Sequence, residues 1–212
     1  TLFPYTTLFR SNKRFFELLD YQVFVKEQLL SELTQEKDRV RTLVHMPTGT
    51  GKTKTTVHTL IDYYMNTLAS DGLIVWIAHT NTLLEQSEET FENVWNVLGL
   101  KSINVHRLYD NNESNEVSIK KGIVFIGVAK LISISKKNSS VFQDLVSNAK
   151  LIIFDEAHKI TASETSVAVQ KLFKHFENSK KRLIGLTATP GRHNYNDLAN
   201  DSRSEERRVG KV

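Results

Sequence analysis

The sequence predicts an α/β domain, a mostly parallel central sheet flanked by helices, and three observations carry that expectation. Short apolar runs alternate with amphipathic stretches through the middle of the chain, as stacked β-α units require. Those runs are apolar without strict alternation, which suits strands covered on both faces. A glycine-rich loop ending in Lys52-Thr53 stands between one such run and the amphipathic stretch behind it.

With 212 residues, the chain has room for one such domain and a full core. Strands are expected at 42–45, 73–78, 103–106, 123–126, 151–154 and 183–186. Val57, Leu60, Ile61, Tyr64, Met65 and Leu68 recur at helical spacing and make one apolar stripe after the glycine loop. Phe91, Val94, Trp95 and Leu98 form a second stripe, and Val169, Leu172, Phe173 and Phe176 a third. Trp95 and these phenylalanines read as core residues, not as platforms for stacked bases. Residues 111–121 read as an exposed polar connection, and the lysine-serine stretch 136–140 as a solvated loop. No internal repeat and no low-complexity tract interrupts the pattern.

Composition excludes several classes. The apolar fraction of 40% is ordinary for a soluble globular protein. No apolar run approaches the about 20 residues that a membrane-spanning helix needs, and the opening stretch lacks the features of a secretory signal. The absence of cysteine rules out disulfides, thiolate metal sites and cysteine nucleophiles. A cytosolic protein with no membrane partner is expected.

Both ends carry an unusual relation. One codon choice for residues 1–11 has a reverse complement that translates as Arg-Ser-Glu-Glu-Arg-Arg-Val-Gly-Lys, the peptide at 203–211. Folding does not select two ends that encode one another on opposite strands. The DNA string resembles a common sequencing-adapter oligonucleotide, so 1–11 and 203–212 are read as non-native segments and 12–202 as the native domain. The bland alternative is a genuine basic tail. Of 28 basic and 24 acidic residues, five basic and two acidic ones lie in these ends, which leaves 23 against 22. The net charge of +4 therefore says nothing about nucleic acid. The native gene is expected to continue past residue 202.

Met46-Pro-Thr-Gly-Thr-Gly-Lys-Thr53 follows an expected strand and opens an expected helix, the context in which a Walker A loop is credible. Gly49 and Gly51 let the backbone curl so that successive N–H groups converge on phosphate oxygens. Pro47, Thr48 and Thr50 complete the cradle, and the helix dipole adds positive potential. Lys52 should reach the β- and γ-phosphates of ATP, and Thr53 should give a hydroxyl to Mg²⁺. Met46 stands where the general pattern has glycine.

Leu151-Ile-Ile-Phe-Asp-Glu-Ala-His158 ends an apolar strand in two carboxylates, at the edge where open α/β sheets bind ligands. Asp155 is expected to hold the Mg²⁺ shell and Glu156 to orient the attacking water. His158 is grouped with the catalytic set. His79, His106 and His175 lack zinc-like spacing, so no metal cluster is expected of them.

These motifs resemble the superfamily 2 DEAD/DEAH-box helicases and translocases, in particular the motor subunits of type III restriction enzymes, over essentially all of 12–202. The resemblance implies a RecA-like P-loop domain, the first lobe of an ATP-driven motor. It also implies that Thr187, Ala188 and Thr189, followed by Pro190, Gly191 and Arg192, couple the γ-phosphate state to movement. The segment Ala78-His-Thr-Asn-Thr-Leu-Leu-Glu-Gln86 resembles the motif that holds a nucleic-acid phosphate, with Thr80 and Gln86 at its informative places. Gln22, after Tyr21, resembles the adenine-recognition glutamine, although Leu19 and Asp20 stand where a basic residue is common. Gly127-Val128-Ala129 is a loose match to a further strand-contacting motif.

The implied function is Mg-ATP hydrolysis coupled to movement on nucleic acid, DNA by resemblance. The implied partners are a second lobe carrying arginine fingers and, further off, nuclease or other restriction-defence subunits. No motif after Arg192 resembles that second lobe, so ATP binding with poor turnover is expected of this chain. The alternatives are a regulatory module that binds nucleotide without hydrolysis, and an RNA helicase.

Overall fold

A computed structural model describes residues 17–69, 71–109, 118–160, 163–174, 180–189 and 206–209, the last four by backbone alone. Seven strands form one sheet: β1 Arg39–His45, β2 Leu73–Ala78, β3 Val105–Leu108, β4 Gly122–Gly127, β5 Ala149–Phe154, β6 Lys181–Thr187 and β7 Glu206–Val209. Their spatial order is β3-β4-β2-β5-β6-β1-β7, and every adjacent pair is parallel. The expected α/β class is the one observed. Six expected strands are present, with the third displaced by two residues, from 103–106 to Val105–Leu108.

The apolar character of the strands follows from cover on both sides. Every residue of β2 is buried. Because successive side chains alternate, Ile74 and Trp76 face one layer while Val75 and Ile77 face the other. The first layer comprises α1 Asp20–Leu33, α2 Lys52–Asp62 and α3 Asn81–Leu98. The second comprises α4 Val128–Lys137, α5 Ser140–Asn148 and α6 Ser163–Lys174. Each fully buried Val, Leu or Ile contributes about 1.5–3 kcal/mol of transfer free energy, so the doubly covered centre holds most of the stability.

The stripes keep to their expected faces, with one irregularity. After Asp62 the helix widens into a π-turn over Tyr63–Thr67, closed by Leu68 N–H donating to Tyr63 O at 3.0 Å. The extra residue per turn lets both Tyr63 and Tyr64 enter the core. Trp95 is buried, stacks on Phe91 with ring centroids 5.4 Å apart, and donates from Nε1 to Lys101 O. Phe173 is buried as expected, whereas Phe176 and His175 lie outside the described residues.

Two expectations need correction, and one pairing lies outside the expected strands. Residues 136–140 are a tight junction between two helices, not a loop. Asn138 closes α4 at φ 46° and ψ 45°, and the Ser139 hydroxyl caps α5 by accepting from Phe142 N–H at 3.3 Å. Lys136 and Lys137 are solvated, but on the last helical turn. Their neighbours Leu131, Ile134, Phe142 and Leu145 supply the buried faces that the polar stretch hides in a linear reading. Within the expected polar connection, Ile119 is buried, its N–H given to Asp144 and its carbonyl held by Asn148. Finally, Glu206–Val209 pairs with β1 as an edge strand, Arg41 opposite Glu206. An open strand edge accepts any short extended segment, so this pairing bears on backbone geometry and not on the origin of that peptide.

At the N-terminal edge of the sheet, Lys181 and Arg182 are adjacent in β6, 1% and 2% exposed, and reach opposite layers. Lys181 Nζ donates to Val146 O at 2.8 Å and Leu172 O at 2.6 Å, in the last turns of α5 and α6. Arg182 donates to Leu33 O at 2.6 Å, at the last residue of α1, and to Gln35 O at 2.7 Å and Asp38 O at 3.3 Å just beyond it. Two cations thus meet the negative ends of three helices.

Candidate active site

The strand order decides the site. β5, β6 and β1 are neighbours, so the acidic box, the segment 187–189 and the glycine loop leave the same sheet edge side by side. They are 29 or more residues apart in sequence. Met46 N–H donates to Thr187 O at 3.2 Å, and His45 Nε2 lies 3.1 Å from Ala188 O. A carbonyl only accepts, so His45 carries its proton on Nε2 in this contact.

In the glycine loop, Gly49 and Gly51 have φ of 81° and 78°, a region that residues with a Cβ rarely adopt. Thr50 closes the turn, donating from both N–H and hydroxyl to Pro47 O at 3.3 and 2.7 Å. Gly51 is the N-cap of α2 and offers no side-chain cap, so the first-turn amides of Lys52, Thr53 and Lys54 have no partner within the helix. Lys52 and Thr53 are half-buried and make no side-chain hydrogen bond among the described residues. An uncapped helix start behind two left-handed glycines fits a phosphate group.

Gln22 packs on this loop from α1, and a Cβ at Gly51 would collide with its Nε2. The Gln22 Nε2 donates to Thr50 O at 2.8 Å, and its Oε1 accepts from Leu19 N–H at 3.0 Å. Tyr21 donates its hydroxyl to Thr50 O at 2.9 Å. The glutamine therefore packs on the glycine loop with its amide already engaged there.

Asp155 is buried. One carboxylate oxygen accepts from Glu156 N–H at 2.9 Å. Burial pushes its pKa up from the ordinary aspartate value, and the positive charge of Lys52 pulls it back. Glu156 takes a left-handed conformation, φ 52° and ψ 49°, uncommon for a residue with a side chain. It starts the 3₁₀ turn Ala157–Lys159, and Lys159 Nζ forms an ion pair with its carboxylate. That hydrogen bond holds the Glu156 carboxyl below the ordinary glutamate value, against the opposing effect of burial.

His158 Nδ1 lies 3.1 Å from the Thr187 hydroxyl oxygen, which also accepts from Thr189 N–H at 3.2 Å. Thr187 gives its own proton to Thr189 O at 2.8 Å. With that proton committed, His158 Nδ1 is the donor to Thr187. The residues expected to act in coupling are thus joined directly to the acidic box. Pro190, Gly191 and Arg192 lie outside the described residues.

Thr80 and Gln86 stand apart from this cluster. Thr80 is the exposed N-cap of α3, its hydroxyl accepting from Leu83 N–H at 3.3 Å. Gln86 is exposed nearly two turns further on. Gly127 caps the start of α4.

Linear spacing leaves three participants unassigned. His45 ends β1 against Ala188. Lys159 meets Glu156, which an i, i+3 spacing after the acidic box could have signalled. His79, dismissed for lack of metal spacing, packs edge-on to Phe154 with ring centres 5.4 Å apart. Its pKa is lowered, mainly by burial and then by the charge of Lys159.

Residues 15–192 match the family described as type III restriction enzyme, res subunit. The chain is similar to the ATP-dependent DNA helicase MPH1 of Vanderwaltozyma polyspora, 26% identical over 178 residues. That match covers 83% of this chain and 16% of the helicase, so the chain spans about a sixth of the relative's length. Among solved structures, the Hef helicase domain of Pyrococcus furiosus aligns over 91% of this chain and 40% of its own, with TM-score 0.63 and 21% identity. The SWI2/SNF2 ATPase core of Sulfolobus solfataricus in complex with dsDNA aligns over 86% of this chain and 34% of its own, with TM-score 0.61 and 17% identity. At those identities the two structures speak for the RecA-like fold alone.

Proposed function

The chain belongs to the type III restriction enzyme res-subunit family, and from that premise we propose that it is the ATP-binding lobe of a DNA-acting superfamily 2 motor. One observation carries the reading: the glycine loop, Asp155-Glu156 and Thr187 meet at the shared edge of β1, β6 and β5.

ATP would supply the transferable γ-phosphoryl group, and Mg²⁺ would neutralise charge on its phosphates. Pro47, Thr48, Gly49, Thr50 and Gly51 shape the cradle, and Lys52 meets phosphate charge. Thr53 and Asp155 fit a hard oxygen-seeking cation, a hydroxyl and a buried carboxylate being the donors it prefers. Glu156 orients the attacking water. His158 passes the state of the box to Thr187, Ala188 and Thr189 through its hydrogen bond. Gln22 reads adenine by exchanging its contact with Thr50 for the base edge.

Thr80 and Gln86 hold a nucleic-acid phosphate at the start of α3. DNA is favoured by what the relatives' names say of them, a DNA helicase and an ATPase core on dsDNA. Full turnover and movement belong to a larger assembly with a second lobe and its arginine fingers, together with restriction-defence subunits, in the cytosol. The ends 1–11 and 203–212 are non-native in this reading.

Titration calorimetry with Mg-ATP tests it. Lys52→Ala should weaken binding at least tenfold, with the unfolding midpoint close to that of the parent chain. Equal affinity in the two proteins would remove the glycine loop from the site.

A further inference from the structure

The ion pair between Lys159 and Glu156 has no part in the hydrolytic reading above, yet it occupies the carboxylate that the reading needs free. The local backbone makes the pair. Glu156 in its left-handed conformation starts a single 3₁₀ turn, closed by Lys159 N–H donating to Glu156 O at 2.8 Å. Side chains three apart on such a turn eclipse one another, so the ammonium falls on the Glu156 Oε2.

We propose that Lys159 is a positioning residue, an exchangeable latch that occupies Glu156 until a phosphate group draws the ammonium away. The inference rests on the function proposed above. A carboxylate oxygen already accepting from an ammonium is a poorer acceptor for the proton of an attacking water. While the pair is closed, Glu156 is held out of its task.

Exposure decides that the pair can open. The side chains are 47% and 28% exposed for Lys159 and Glu156, and ion pairs so open to solvent contribute little to stability. A buried pair would resist exchange, because parting it would strand a charge. A terminal nucleotide phosphate offers more negative charge than one carboxylate, and backbone phosphodiesters, each singly charged, present their acceptor oxygens as a dense array. Among the described residues the Lys159 ammonium makes no hydrogen bond other than the one to Glu156, so no second contact pins it in place. Two sources could supply the phosphate, the nucleotide itself or a nucleic-acid backbone.

Zero-length carbodiimide coupling of the 212-residue chain reads the contact directly, as a Lys159–Glu156 isopeptide found by peptide mass spectrometry. The cross-link should form in the free chain and fall at least threefold with either the Mg²⁺ complex of a non-hydrolysable ATP analogue or duplex DNA, and the effective arm names the source. In parallel, Lys159→Met should raise the residual ATP turnover without DNA at least threefold, with KM within twofold, and Lys159→Arg should return it to the parent rate. A cross-link insensitive to both ligands, or Lys159→Met turnover at or below that of the parent, overturns the latch. Analogue binding measured in the same samples separates the two ideas. If the analogue binds and the cross-link persists, the latch alone fails, whereas no binding at all removes the nucleotide site beneath it.

Discussion

At the N-terminal edge of the sheet, Lys181 and Arg182 are buried and donate to the backbone carbonyls of Val146, Leu172, Leu33 and Gln35. At the C-terminal edge, Lys52 and Thr53 make no such contact among the described residues, α2 starts uncapped, and Glu156 sits in a strained backbone conformation. Both edges place charge at helix ends. The N-terminal edge satisfies the helix C-termini internally, although holding a charged Lys181 there carries the cost that its lowered pKa records. The C-terminal edge leaves helix N-termini and polar side chains unmet, so that an anion can complete them. In the proposed reading, the buried cations at the helix ends and the nucleotide site therefore lie at opposite ends of the same strands.

The largest test of this division is Arg182→Met. It leaves Leu33 O and Gln35 O without this donor, while Asp38 O keeps Lys181 N–H, and should cost about 3 kcal/mol in urea denaturation. Nucleotide affinity of the molecules that remain folded should not change. A loss of affinity in step with stability would show that the two edges are not independent.

Lys181 gives a pH signature of intermediate size. Burial, reinforced by the charges of Lys150 and Arg39, lowers its pKa from 10.5 to about 8. Between those two values the unfolded chain binds the proton that the folded chain has lost, so this residue makes stability rise with pH across that window. The cost of charging it in the fold is fully present below about 8. The difference in unfolding free energy between the parent chain and Lys181→Met should grow by about 2 kcal/mol from pH 8 to 10. A flat difference would mean that the helix carbonyls hold the charge without penalty.

Glu156→Gly is the smallest effect and the most direct probe of the strained edge. Removing the Cβ at φ 52° should stabilise the chain by about 1 kcal/mol, while abolishing whatever hydrolysis it retains. A destabilised variant would place the strain elsewhere.

Much of the molecule was legible in the chain because its signals are local. The doubly covered strands appear as unbroken apolar runs, such as 73–78 and 151–154, and both coincide with observed strands or lie within them. The glycine loop needs positive φ at two positions, which makes glycine at 49 and 51 visible without any coordinates. Less was legible at α4 and α5, where a lysine-serine junction masks two short helices whose apolar faces appear only against α6 and the sheet. The pairing of His158 with Thr187 spans 29 residues and two strands, and no periodicity reports it.

The sequence by itself determined the α/β class, most strand positions, the phosphate-type loop and the carboxylate pair, because each depends on neighbours within about a dozen residues. Only the tertiary structure decided the strand order β5-β6-β1 that brings these parts to one edge. It also decided the occupation of Glu156 by Lys159 and the use of Lys181 and Arg182 as helix-end donors. The physical reason is that local propensity acts through bonds and nearest turns. Strand order and buried charge are settled by which distant surfaces must cover one another and which carbonyls are left without water.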